Sequence, residues 1–196
     1  MNSIKSLLVF CGASLGRQEC YTKAAFAAGA FLAQQGIRLV YGGAKVGLMG
    51  AVADGALSMG GKVTGVIPRF LQNKELAHEG LTDLICVDSM HERKLQMYTL
   101  SDAAIALPGG FGTLEEFFEL LTWSQLGLHQ KPMGLLNINS FFQPLLDMCR
   151  TMEGEGFLTN AHHQMVLHHP EIDKLLDLLL HYETPPAPKW LSSSEV

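Results

Sequence analysis

Short apolar segments alternate along this chain with longer segments whose apolar residues recur at helical spacing. The first apolar segment, Leu7–Cys11, is followed by a stretch from Tyr21 to Leu32 with a period near 3.6 residues. Further strands are predicted at 37–41, 62–67, 84–87, 103–107 and 133–136, with a short one around 165–167. Such alternation is typical of a parallel sheet covered by helices on both faces. We therefore predict an α/β, Rossmann-like three-layer fold with a mostly parallel central sheet of about six or seven strands.

The remaining helices are predicted between these strands. They are expected at 48–59, 90–101, from Thr113 onward, 140–153 and 170–182. No internal repeat or linker divides the chain, so residues 1–183 are predicted to form a single nucleotide-binding domain. The proline- and serine-rich residues 184–196 are predicted to be a flexible tail.

Composition excludes several classes of protein. Hydrophobic residues make up 47% of the 196 residues and charged residues 17%, as in folded globular proteins. The net charge of −5 argues against a nucleic-acid binder. No apolar run approaches the ~18 residues that span a membrane, and no signal peptide is recognisable. The four cysteines form no CxxC pair, so we expect a reducing, cytoplasmic location and no catalytic cysteine.

Three glycine-rich loops follow predicted strands, at 12–16, 42–47 and 109–112. Ligands of such folds bind beyond the carboxyl ends of the strands, so these loops are expected to line one crevice. The third loop belongs to the segment 108–116, which reads PGGFGTLEE and leads into a predicted helix. Helix N-termini bind phosphate, and glycines let the backbone approach it closely. A phosphate site with two carboxylates in the first helical turn indicates chemistry on a phosphorylated substrate.

Other nucleotide folds and metal chemistry are not favoured. The first loop lacks the GxGxxG pattern of dinucleotide-binding proteins, and no acidic residue ends the second strand. No Walker P-loop is present. The pairs His162-His163 and His168-His169 lie far from the glycine loops without other ligand motifs, so surface histidines and no metal are predicted.

Glu116 permits a structural and a functional interpretation. Thr113 and Glu116 form a T-x-x-E pattern, which predicts a capping box. The position of Glu116 beside a triple-glycine loop instead favours a catalytic carboxylate. The capping role and the catalytic role are compatible. Glu115 is predicted to be a solvated carboxylate near the helix N-terminus.

Arg93 is unusual because it shares a predicted helical face with Met90, Met97 and Leu100. A guanidinium on an apolar face needs an anionic partner. The structural interpretation is a salt bridge to a carboxylate such as Glu116, and the functional one is a substrate phosphate or a catalytic carboxylate. Ser89 and Glu92 form a second capping-box pattern at the start of this helix.

Four segments together resemble the Lonely Guy (LOG) family of cytokinin riboside 5′-monophosphate phosphoribohydrolases. They are Tyr41-Gly42-Gly43, Leu48-Met49-Gly50, Met90-His91-Glu92-Arg93-Lys94 and Pro108–Glu116. The resemblance implies a Rossmann-like homodimer without a cofactor. It also implies hydrolysis of the N-glycosidic bond of a nucleoside 5′-monophosphate, such as AMP or a cytokinin nucleotide, to free base and ribose 5-phosphate.

The resemblance assigns catalytic roles to Arg93 and Glu116. We expect Glu116 to stabilise an oxocarbenium-like state and to position or activate water, while Arg93 holds Glu116 ionised or contacts the phosphate. The resemblance implies a substrate site of Ser14, Gly42, Gly43, Glu75, Met90, Lys94, Gly109, Gly110, Phe111, Gly112, Thr113, Leu114, Glu115 and Thr122. One departure is Ala44, which stands where family members often have a third glycine. It is expected to be tolerated unless that residue needs a positive φ.

Two alternatives remain at the level of sequence. One is a non-catalytic carrier of a nucleotide or a molybdopterin-type cofactor on the same fold, against which Arg93 and Glu116 together argue. The other is a nucleosidase for a different purine or pyrimidine monophosphate. A lysine decarboxylase label has been attached to PGGxGTxxE proteins, but no lysine here lies in a setting typical of a Schiff base.

Overall fold

The computed structural model describes residues 3–72 and 77–185. Its strands are β1 (Ser6–Phe10), β2 (Arg38–Tyr41), β3 (Val63–Pro68), β4 (Asp83–Val87), β5 (Ala103–Ala106), β6 (Met133–Leu136) and β7 (Val166–His169). Its helices are α1 (Glu19–Gln34), α2 (Gly47–Ser58), α3 (Arg69–Gln72), α4 (Met90–Thr99), α5 (Phe111–Gln125), α6 (Gln143–Gly154), α7 (Asn160–His163) and α8 (Ile172–Leu180). A 3₁₀ turn spans Ile138–Ser140. Residues 186–196, most of the predicted tail, lie outside the described residues.

The strands form one seven-stranded sheet in the order β4-β3-β2-β1-β5-β6-β7. Each neighbouring pair within it is parallel, for example Leu7 opposite Ala103 in β1 and β5. The predicted α/β class is confirmed, and the sheet is wholly parallel. The chain builds outward from β1 to β4 and then restarts on the other side of β1 with β5. The boundary between β1 and β5 is therefore the switch point at which such folds bind ligands.

Side chains of β1 alternate between two cores, one on each face of the sheet. Leu7 and Val9 pack with residues of α1, α2 and α8. Leu8 and Phe10 pack with residues of α4, α5 and α6. This burial on both faces explains why β1 is a continuous apolar run. Of the helices in the two described ranges, none is long and apolar enough to cross a membrane.

Helices α1 and α2 pack at backbone contact through glycines. A Cβ added at Gly29 would overlap the Val52 carbonyl oxygen, and one at Gly55 would overlap that of Phe26. These clashes are with backbone atoms, so neither helix can accommodate them by a rotamer change. Glycines therefore set how closely α1 and α2 approach each other.

We expect Gly55→Ala to lower the free energy of unfolding by about 2 kcal/mol, because the helices must move apart. Urea unfolding would measure it. Gly154→Ala at the end of α6 is the matched control, since no atom lies within 4 Å of its added Cβ. Equal stability of Gly55→Ala and the control variant would contradict the expectation.

Candidate active site

Backbone hydrogen bonds connect the glycine-rich loops at the carboxyl ends of β1 and β5. The Gly12 amide donates to the Pro108 carbonyl over 3.0 Å, and the Leu48 amide at the start of α2 donates to the Gly12 carbonyl over 3.0 Å. Gly47, at φ +61°, is pressed against the backbone of Ala13. The start of α2 and the loops after β1 and β5 therefore form one continuous backbone surface.

This surface forms part of a cavity of about 550 Å³, within the range of small-molecule sites. The cavity combines polar residues with an apolar set. The polar residues are Ser14, Arg93, Thr113, Glu115 and Glu116, and the larger apolar ones are Leu15, Tyr21, Leu48, Met49, Met90, Pro108 and Phe141. The prediction of one crevice is confirmed for the loops at 12–16 and 109–112. Residues 42–47 do not line it, although they contact a residue that does.

Helix α5 begins two residues earlier than predicted. Gly110 is its N-cap and makes no side-chain cap, and the Leu114 amide donates to the Gly110 carbonyl over 3.2 Å. Thr113 is buried inside the first turn, where its Oγ1 packs against Gly109, so the predicted capping box with Glu116 is wrong. Both carboxylates consequently lie in the second turn and not in the first. The amides of residues 111–113 have no intrahelical partner and remain available to a ligand.

Glu116 is half-buried on the cavity wall. Burial raises the pKa of its carboxyl to about 7, the nearby charge of Arg93 opposes this shift, and Glu115 adds to it. A carboxyl with a pKa near neutrality is suited to accept a proton from water at physiological pH. Its environment is thus typical of a functional acid or base.

Arg93 is 6% exposed and is held by backbone carbonyls. Its Nε donates to the Val66 carbonyl over 3.1 Å and its Nη2 to the Gly42 carbonyl over 2.9 Å, while Nη1 lies 3.9 Å from Met90 Sδ. The structural interpretation, a salt bridge to a carboxylate such as Glu116, is wrong, since no carboxylate of the described residues lies within 4.0 Å of this guanidinium. Its charge still acts on Glu116 at longer range.

Lys94 connects α4 to α5. Its Nζ lies 2.7 Å from Glu115 Oε1 and 2.8 Å from Glu119 Oε2, and its side chain is 12% exposed. Burial alone would lower the pKa of Lys94, but hydrogen bonds to the two carboxylates raise it. At the N-terminus of α4, the predicted Ser89 cap is confirmed, because Ser89 Oγ accepts from the Glu92 amide over 3.1 Å.

The other residues of the predicted site separate into two groups. Ser14, Met90, Gly109, Gly110 and Gly112 line the cavity, as do Arg93, Thr113, Glu115 and Glu116. Lys94, Gly42, Gly43, Phe111, Leu114 and Thr122 do not.

Among that second group, Phe111 is 94% exposed, and the Thr122 hydroxyl donates to the Phe118 carbonyl over 2.7 Å. Glu75 lies outside the described residues. Ala44 is fully buried and has no positive φ, so alanine fits this position without backbone strain.

Sequence reasoning missed several residues of the apolar wall. Cys11, Tyr21 and Phe141 all line the cavity, and burial raises the pKa of the Cys11 thiol far above its usual range. Phe141 follows the carboxyl end of β6, which lies beside β5 in the sheet. The rule that ligands bind at the carboxyl ends of parallel strands could have indicated this loop, which carries no glycine motif.

Of the two histidine pairs, predicted to lie at the surface, His168 is exposed, whereas His162, His163 and His169 are half-buried and His163 contacts Glu153 on α6. In residues 3–72 and 77–185, no group of three or more His, Cys, Asp or Glu side chains is arranged to hold a metal ion.

Comparison with known proteins gives both sequence relatives and fold relatives. A family model described as "Possible lysine decarboxylase" matches residues 49–179. A cytokinin riboside 5′-monophosphate phosphoribohydrolase of Rhodococcoides fascians is 54% identical over 164 residues, which is 83% of each chain. The rice (Oryza sativa subsp. japonica) enzyme LOG, of the same activity, is 42% identical over 178 residues, covering 91% of this chain and 74% of the relative.

Solved structures with the same fold include the molybdenum cofactor binding protein of Rippkaea orientalis. It has a TM-score of 0.67 and 24% identity, covering 89% of this chain and 94% of that one. The Moco carrier protein of Chlamydomonas reinhardtii has a TM-score of 0.65 and 19% identity, covering 90% of this chain and all of the other. At such identities the likeness shows the fold alone.

The decarboxylase description does not fit the chemistry of the cavity. A pyridoxal enzyme needs a lysine for its Schiff base. Arg93 is the one basic residue among the described residues that line the cavity, and Lys94 is paired with two carboxylates. The residues of the cavity therefore give no support to lysine decarboxylase activity, in agreement with the sequence.

Proposed function

The chain belongs to the LOG family of cytokinin riboside 5′-monophosphate phosphoribohydrolases, and we propose that it hydrolyses the N-glycosidic bond of such nucleotides to free base and ribose 5-phosphate. One observation carries the proposal. A single cavity combines a glycine-loop helix N-terminus, the carboxyl of Glu116 and the guanidinium of Arg93. Phosphate recognition and cation stabilisation are the two requirements of this reaction.

The phosphate is proposed to lie on the amides of residues 111–113. These amides are at the N-terminus of α5, where the helix dipole also favours an anion. Thr113 and Glu116 are three residues apart on the same helix and therefore share a face. A nucleotide anchored by its phosphate on the first turn thus presents its ribose towards the carboxylate of the second turn.

Glu116 is proposed to act in its ionised form. Departure of the base leaves positive charge on the anomeric carbon, which a carboxylate stabilises. The base takes the C–N bonding electrons as it departs and gains a proton from solvent. Water then adds to the anomeric carbon, and Glu116 accepts the proton that this water loses. Arg93 supports the ionised form, because its charge lowers the pKa of Glu116 against the effect of burial.

The apolar part of the cavity supports a base that carries an apolar group. Leu15, Leu48, Met49 and Phe141 offer no strong hydrogen-bonding side chain on that wall. The relatives are named for cytokinin riboside 5′-monophosphates, which agrees with such a wall. A cofactor carrier is not favoured, because the carrier proteins share the fold at 24% identity or less.

Cleavage of AMP and of isopentenyladenosine monophosphate tests the proposal, with free base followed by chromatography. We expect both to be cleaved and adenosine to be cleaved at least about 100-fold more slowly, because phosphate binding contributes to lowering the barrier. Equal rates for adenosine and AMP would contradict the phosphate site. No base release from either monophosphate would contradict the proposed function.

A homodimer is proposed as the working form. Phe117 and Leu120 of α5 are buried in the core, so these two side chains are not available to a partner subunit. Exposed apolar side chains nearby are Leu95 on α4, at 55%, and Phe111, at 94%. Light scattering after size exclusion measures the mass, and a monomer would contradict the proposal.

The four cysteines are free, which supports the proposed cytoplasmic location.

A further inference from the structure

The turn after β6 has a backbone that ordinary residues seldom adopt. Asn139, at φ 50°, and Ser140, at φ 57°, are consecutive non-glycine residues in the left-handed region. Such residues persist only where the surroundings hold them, and they concentrate at functional sites. The next residue, Phe141, lines the cavity. The strained turn is therefore directly joined to the candidate site.

Asn137 closes this turn from inside the protein. It is 8% exposed, its Oδ1 accepts from the Phe142 amide over 2.8 Å, and its own amide donates to the His169 carbonyl of β7 over 2.9 Å. Phe142, at 2% exposure, is anchored in the core between the sheet and α5 and α6. One end of the turn is therefore held at the sheet by Asn137, and the other end is held in the core by Phe142.

The turn also contacts the start of α1. Asn139 Nδ2 donates to Gln18 Oε1 over 2.9 Å, just before α1 begins. Phe141 meets Tyr21 of α1 edge-to-face, with ring centroids 5.8 Å apart, and both rings line the cavity. The turn after β6 and the first turn of α1, which are distant in sequence, therefore present one aromatic wall.

We propose that Asn137 is a positioning residue for nucleotide binding: it closes the left-handed turn that holds Phe141 against Tyr21 on the cavity wall. The inference rests on the proposed function for its substrate. Asn137 does not line the cavity, and neither do Asn139 and Gln18. Its effect is therefore on the affinity for the nucleotide and not on the bond-breaking step at Glu116.

The test compares Asn137→Ala, Asn137→Asp, Phe141→Ala and the double variant Asn137→Ala/Phe141→Ala. Asn137→Ala and Phe141→Ala are each expected to raise KM for AMP roughly tenfold, the scale of a lost aromatic contact, with kcat and its pH profile unchanged. The double variant is expected to match Phe141→Ala alone, because both act through one ring. Asn137→Asp keeps the acceptor oxygen and is expected to restore KM to within about twofold of wild type.

Gln143→Ala is the matched control, since it removes a 2.9 Å side-chain hydrogen bond to Asp147 on the neighbouring α6. A lower melting temperature with unchanged KM in Asn137→Ala would overturn the proposal, as would a fall in kcat or additive effects in the double variant. If Asn137→Ala does not fold, KM is measured for Phe141→Ala instead. This variant is expected to fold, because Phe141 is 39% exposed. An unchanged KM there also overturns the proposal.

The proposed function can fail separately. If wild type binds AMP but releases no base, the dissociation constant of AMP replaces KM in the same comparison. The proposal then stands if Asn137→Ala and Phe141→Ala weaken binding and falls if they do not. Absence of both cleavage and binding would overturn the function and this inference together.

Discussion

Glu116→Gln is expected to reduce base release from AMP by at least about 1000-fold, on the scale of losing a preorganised electrostatic group. Glutamine keeps the shape of the side chain but can neither stabilise a developing cation by charge nor accept a proton. Nucleotide binding is expected to persist, because the proposed phosphate site lies on the amides of residues 111–113. Single-turnover base release and equilibrium binding of AMP measure the two effects. Equal loss of binding and turnover would contradict a role confined to the chemical step.

The same variant is expected to become more stable than wild type at pH 8 and equal to it near pH 4. Burial raises the folded-state pKa of Glu116 to about 7, against an ordinary value of 4.5. Between these values the folded state binds the proton that the unfolded state has lost, so wild-type stability falls as pH rises through this window. The difference from the glutamine variant should therefore grow from pH 4.5 to pH 7, to on the order of 1–3 kcal/mol. Thermal unfolding across this range would show it, and a constant difference would contradict the raised pKa.

Wild-type activity should follow the same ionisation. If the carboxylate is the active form, kcat/KM rises as pH increases through about 7. An inactive but stabilised Glu116→Gln also excludes misfolding as the cause of lost activity. The Glu116 carboxyl would then both lower the stability of the fold and be required for activity.

The fold was predictable because its central strands are buried on both faces. The continuous apolar runs of β1, β5 and β6 distinguish them from helical segments of period 3.6, and their alternation dictates a parallel sheet. Strand order does not follow from such a pattern, because each strand of this kind presents a similar apolar surface. The short helices α3 and α7 were not predicted, since four residues carry no measurable periodicity.

The motif residues were predictable where the local backbone determines the chemistry. Glycines around residue 110 and a carboxylate at Glu116 are local, and the structure brings them into one cavity. The partners of Arg93 were not predictable, because they are the backbone carbonyls of Gly42, directly after β2, and of Val66 in β3. Every residue has a backbone carbonyl, so no pattern of side chains indicates which carbonyls accept hydrogen bonds from Arg93. Phe141 was missed for a related reason, since it reaches the cavity only through the turn after β6.

Charges on α4 and α5 together determine the state of Glu116. Burial raises its pKa, Arg93 and Lys94 oppose that effect, and Glu115 and Glu119 reinforce it. Lys94 is paired with both of these neighbouring carboxylates, so part of its charge is already compensated. Arg93 has no such partner among the described residues, and its position therefore has the larger influence on the ionisation of Glu116.

Gly42→Ala is expected to reduce kcat/KM for AMP about as strongly as Arg93→Ala, by roughly 100-fold or more. An added Cβ would overlap Arg93 Nη2 and lie 3.3 Å from its Cζ and 3.1 Å from Met49 Sδ. Gly42 does not have a positive φ, so alanine itself fits the backbone and the conflict is with the guanidinium. Glycine is thus required here to leave room for a charged side chain, rather than for a turn.

The decisive measurement is a double-mutant cycle with Arg93→Ala. If Gly42→Ala acts by displacing the guanidinium, it costs nothing further once that group is gone, and the two losses do not add. Gly154→Ala, with open space around its Cβ, controls for the general effect of adding a methyl group. Additive losses would instead mean that Gly42 serves the site through its own backbone. Wild-type activity in Gly42→Ala would mean that the position of Arg93 beside the Gly42 carbonyl is dispensable for catalysis.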